Sequence, residues 1–157
     1  VKGFTIVELI VVMAIIAALS AIFVPLMFKY VKSARVAKLD TNARHVYGAA
    51  TYAVSDYYAG FSNFQIQPNC IYTGGSDCIG HANLGGQCDL TNYLGENFNG
   101  YFAFKTDASG NFIDYALWSD KQIPVSAVTW LTEQDVKDSM GTATPMGCYP
   151  HKVDDDP

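Results

Sequence analysis

At 157 residues, half of them hydrophobic, with a formal net charge of −5, the chain has length for one modest domain and a small core. Its charge is unevenly divided. Lys29, Lys32, Arg35, Lys38 and Arg44 oppose only Asp40 over residues 29–45, net +4, whereas residues 46–157 carry four lysines against thirteen acids, net −9, which disfavours nucleic-acid binding by the C-terminal portion. Four cysteines without metal-type CxxC spacing suit two disulfides and an oxidising exterior.

The first element is apolar. Leu9 to Phe28 is interrupted only by Ser20 and Pro25; as a helix it spans ~30 Å, one bilayer core. A removable secretory signal has a shorter apolar region followed by a small-residue cleavage site, so this segment is expected to stay in the mature protein. Glu8 stands out. An ionised carboxylate at the lip of an apolar helix is costly in hydrocarbon and calls for a positive partner.

Lys2, Gly3, Phe4, Thr5, Ile6, Val7, Glu8 and Pro25 fall in the register of a known pattern: a basic residue, Gly, a cleavage point, an aromatic residue, Thr, two aliphatics, Glu, then a long apolar helix with a later Pro. In this stretch the chain resembles type IV pilins and their relatives, the type II secretion pseudopilins and competence pilins. The resemblance covers about the first 30 residues and departs at Ala17, where the family carries Gly. It implies processing between Gly3 and Phe4 by a prepilin peptidase, with residues 1–3 as a leader remnant and Phe4 as a methylated first residue. It also implies that the Phe4 amine of an adjacent copy answers Glu8.

Beyond the apolar half (4–28), Val36, Leu39, Ala43, Val46, Tyr47, Ala50, Val54 and Tyr57 recur at three- and four-residue spacing, one apolar stripe on a helix that continues over 29–60. Gly60 is its natural terminator. The whole helix, Phe4 to Ala59, would measure ~84 Å. Its first half, apolar all round, is expected to protrude and be buried by lipid or by other copies, and its second half to lie on a globular head. Pro25 removes the N–H that would bond Ala21, which predicts a kink or a short unwound stretch at 21–25.

From 61 to 99 regular pattern is largely missing, and a long loop is expected, with a helical turn at 89–94 closed by Gly95. Such a loop needs tethering. Cys70 and Cys78 are close enough in sequence to staple it, and Cys148 could fasten the C-terminal segment, most simply to Cys88. All three pairings of four cysteines stay open. The sheet is expected over 100–130. GYFAFKTD (100–107) and NFIDYALWS (111–119) alternate as a hairpin, with Phe102, Phe104 and Thr106 towards the helix. A further short strand is expected at 124–130. In the C-terminal region 131–157, Thr132 to Asp135 opens a short helix with a capping box, ending at Gly141.

The expected fold is α+β: a long N-terminal helix whose amphipathic half packs on a small antiparallel sheet, with disulfide-pinned loops. No catalytic motif is present, so no enzyme activity, cofactor or small-molecule substrate is expected. His45, His81 and His151 lack zinc-ligand spacing. Asp107, Asp114 and Asp120 could gather for calcium, and ALWSD is similar to the region preceding the calcium loop of major pseudopilins, but ligands at alternate positions are missing, so no metal is expected. The expected role is that of a major pilin, a homo-oligomeric helical filament subunit drawn from an inner-membrane pool by a pilus assembly machinery into an extracellular pilus. The alternatives are a secretion pseudopilin, a minor or competence pilin, or a singly anchored adhesin.

Overall fold

The computed structural model describes residues 3–61, 66–77, 79–82, 87–95 and 97–153. The chain forms two compact units, residues 1–35 and 36–157.

Helix α1, Ile6–Tyr58, is continuous. Residues 21–25 remain helical, so the unwound stretch expected before Pro25 is not there. A proline costs one main-chain bond, and its neighbours on the helix hold the turn without it. In the first unit no described residue of α1 is buried.

In the second unit α1 buries Leu39, Ala43, Val46, Ala49, Ala50, Ala53 and Val54, the stripe that the spacing predicts. It lies on a six-stranded antiparallel sheet of order β3-β2-β1-β4-β5-β6. The strands are β1 (Ile71–Gly74), β2 (Ile79–Ala82), β3 (Gln87–Asp89), β4 (Tyr101–Thr106), β5 (Ile113–Ser119) and β6 (Gly147–Tyr149). The predicted hairpin is β4–β5, pairing Phe102 with Trp118 and Phe104 with Ala116. Phe102, Phe104 and Thr106 are fully or almost fully buried, the first two in the cluster that holds the α1 stripe. The rings of Tyr72 and Phe104 stack at 4.9 Å. Thr106 ties the entry to β1: its hydroxyl donates to the Gln67 carbonyl at 2.7 Å and accepts the Cys70 N–H at 2.9 Å.

Three expectations are corrected. The 61–99 segment is not one long loop: beside the expected helical turn, α2 (Thr91–Leu94), it carries β1, β2 and β3, strands of three or four residues that are too short to show alternation. The strand expected at 124–130 is instead a 3-10 turn, Val125–Ala127, opened by Pro124, whose missing N–H suits a turn better than a ladder. The sheet is also finished at its far edge by β6, outside the expected 100–130 span.

The sheet buries its other face as well. Ala103, Tyr115, Leu117 and Cys148 meet Ile123, Val128, Leu131 and Val136 there. Those last residues come from the 120–146 segment, including α3 (Glu133–Ser139), which starts at the predicted capping box of Thr132 and Asp135. Strand β6 can reach α1 because residue 147 has no side chain: a Cβ there would stand 2.2 Å from the Leu39 backbone. Next to it, the Tyr149 ring sits 5.3 Å from the Tyr47 ring, with the Arg44 guanidinium 4.6 Å away.

Candidate functional site

The first turn of α1 is built by two residues. The Thr5 N–H donates to Glu8 Oε2 at 2.8 Å and the Thr5 hydroxyl to the same oxygen at 2.7 Å; the Glu8 N–H donates back to Thr5 Oγ1 at 3.3 Å. This is a reciprocal capping box, which satisfies N–H groups that a helix start leaves without partners. It also sets a carboxylate at the positive end of the helix dipole. The signal for it, Thr5 three residues before Glu8 ahead of an apolar run, is legible in the sequence but is masked there by the more conspicuous charge of Glu8. Among the described residues no cation pairs with Glu8, and its side chain is exposed.

Around it the surface is apolar. Phe4 is 87% exposed, and Ile6, Leu9, Ile15, Leu19, Phe23 and Phe28 are all more than half exposed. By length and composition α1 can cross a membrane, with a mean hydropathy of 2.9 in its best window and none of that window buried.

The cysteines behave differently from expectation. Cys70, Cys88 and Cys148 are buried, and no disulfide joins any of them to another; Cys78 lies outside the described residues. A Cys88–Cys148 bridge is overturned by the sheet order. Those residues occupy β3 and β6, the two opposite edges, five strand spacings or about 24 Å apart, whereas a disulfide needs Cα atoms within ~7 Å. A second measure agrees. The Cys148 N–H reaches Asp40 on α1, while the Tyr93 hydroxyl, just past β3, donates to Asp56, and sixteen residues of helix also span about 24 Å. Cys70 and Cys148 lie in cores on opposite faces of the sheet. Burial pushes the Cys88 thiol up to about 12 and the Cys148 thiol up to about 11, which keeps both protonated and unreactive at neutral pH.

Asp107, Asp114 and Asp120 have separate surroundings. Asp107 accepts from the Ser109 hydroxyl and the Phe112 N–H within its own turn. Asp114 pairs with Lys105 at 3.2 Å, and Asp120 lines a cleft beside α1. No three metal-ligating side chains gather among the described residues. His151 Nε2 stands 3.2 Å from Asp40 Oδ1 without closing a hydrogen bond to it.

Residues 1–24 match the family model described as the prokaryotic N-terminal methylation motif. That motif is the class III signal characteristic of type IV pilins, and at its N-terminus this chain resembles them. With the apolar α1 it fits a type IV pilin-like or pseudopilin-like protein, made as a membrane-anchored precursor and processed by a prepilin peptidase for a pilus-type system. No curated protein and no solved structure matches the chain.

Proposed function

We propose that this chain is a major pilin, the structural subunit of a type IV pilus, and that it polymerises through the first half of α1 into an extracellular filament. The observation that carries this reading is a carboxylate fixed by a capping box at the head of an exposed, continuously apolar helix. Cleavage after Gly3 leaves Thr5 with its amide N–H and hydroxyl intact, so the capping box survives processing and Glu8 stays where it is. The new Phe4 amine carries a positive charge at a helix N-terminus, where the dipole disfavours it. A neighbour's Glu8 relieves that cost, and the amine in turn relieves the cost of a carboxylate in hydrocarbon.

Leaving lipid for a bundle of like helices gives little hydrophobic gain, since lipid tails are as apolar as leucine. Geometry is then set by close approach at Ala14, Ala17, Ala18, Ser20 and Ala21 and by the Glu8 pairing. One non-closing operator repeated makes a filament of unlimited length. On this reading the protein is not an enzyme, and its partners are its own copies, the membrane and the assembly machinery.

Two substitutions separate charge from capping. Glu8→Gln keeps the side-chain acceptor that closes the box, and Glu8→Val removes it. If charge pairing drives growth, both variants insert in the membrane and both lose filaments, counted by electron microscopy of sheared surface fractions. A normal filament yield from Glu8→Gln overturns the pairing.

A further inference from the structure

We propose that a cleft in the second unit, between α1 and the segment before β4, binds a neutral, hydroxyl-rich ligand: one or two residues of a saccharide. The cleft holds about 490 Å³, within the range of small-molecule sites. Asn42 and His45 enter it from α1, Asn97 and Asn99 from the facing segment, and Asp120 from the end of β5. The side chain of each is outside every hydrogen bond and ion pair among the described residues. Between them the apolar wall is Phe98, half-buried, with the edge of Trp118, 4% exposed, at its base. Gly100, at φ +125°, lets the main chain close on the indole, where a Cβ would stand 2.6 Å from Nε1.

The chemistry selects the ligand class. A side-chain amide donates and accepts from one planar group, as adjacent sugar hydroxyls require, and a carboxylate accepts from two hydroxyls at once. Apolar wall between such groups suits the C–H faces of a pyranose ring. An anion is not singled out: the Lys38 ammonium, 5.8 Å from the Trp118 ring centroid, lines the same cleft as Asp120, and the two opposite charges offset each other. A peptide strand has no edge to join: Trp118 belongs to β5, which is paired on both sides by β4 and β6, so strand addition is closed to it. An amphipathic helix needs an apolar groove, and about half of this lining is polar.

The reading does not rest on filament growth and is tested on dispersed full-length chain in a sugar-free detergent, by the indole N–H resonances, with Trp130→Phe assigning Trp118. The probes are maltose, cellobiose, lactose and chitobiose, with inorganic phosphate and a synthetic peptide of residues 29–45 as the competing classes. We expect a saturable shift of the Trp118 resonance with at least one disaccharide. Asn42→Ala and Asn99→Ala, each with an unchanged melting temperature, should weaken it about tenfold. No saturable shift up to tens of millimolar overturns the proposal, and so does an equal response in the variants. Phosphate acting alone makes the cleft an anion site; the peptide acting alone makes it a contact between copies.

Discussion

The two units solve the burial problem in opposite ways. Residues 36–157 bury both faces of one sheet, and on the α1 side only one stripe of the helix is covered, with polar residues such as Asn42, Lys38 and His45 left outside it. Residues 6–31 of the same helix carry apolar side chains on every side and bury none of them within the chain. A helix that is apolar all round has its solvent supplied from elsewhere, by lipid or by other helices, and one with a single stripe has it supplied by its own fold. The same element therefore carries two kinds of stability, one set within the chain and one set by surroundings.

That contrast can be broken from either side. The largest expected effect is on the core side. Phe102→Ala removes a fully buried ring lying against Phe98 and Phe104 and should cost about 3–5 kcal/mol of unfolding free energy, read by denaturant titration, while membrane insertion is unchanged. Ile15→Lys is the mirror image. It should disfavour insertion by about 3 kcal/mol, seen as release of the chain by alkaline carbonate, with the melting temperature of the folded unit unmoved. A loss of both properties from either substitution would show the units to be coupled.

Gly147→Ala sharpens the account of how α1 is held. The added methyl meets helix backbone, not a yielding side chain, so about 1–3 kcal/mol of stability should be lost and hydrogen exchange should rise first in β6. The smallest expected effect is at the α3 cap, where Thr132→Ala should cost about 1 kcal/mol. It also changes the response to acid. Bonds from the Thr132 main chain and then its hydroxyl hold the Asp135 carboxyl below the usual carboxylate range. A depressed acid contributes stability that is present above its unfolded value and is lost as pH falls through the folded one. The variant's stability should therefore decline less steeply over that acid range, as followed by circular dichroism.

Much of this was legible in the residues, and the reasons for the rest are physical. The α1 stripe and the β4–β5 hairpin announce themselves because each repeats its pattern several times. Strands β1, β2, β3 and β6, at three or four residues, do not repeat anything long enough to read. The second core had a signal that alternation obscured: Ala116, Leu117 and Trp118 run consecutively in β5 and all are buried, as a strand covered on both faces requires. At the N-terminus the cost of a carboxylate pointed to Glu8, while its bonding to Thr5 lay in a motif already on the page. Cysteine pairing depends on strand order, which a gap in sequence numbers does not encode.

Both outermost strands of the sheet, β3 and β6, are only three residues long. Were the chain packed among many copies, as in the proposed filament, it would have to avoid zipping to its neighbours edge to edge, and short rims offer little main chain on which such a fibre could seed. In that filament, crowding of the heads would be tolerated without amyloid-like stacking, and order among them would be left to the helices.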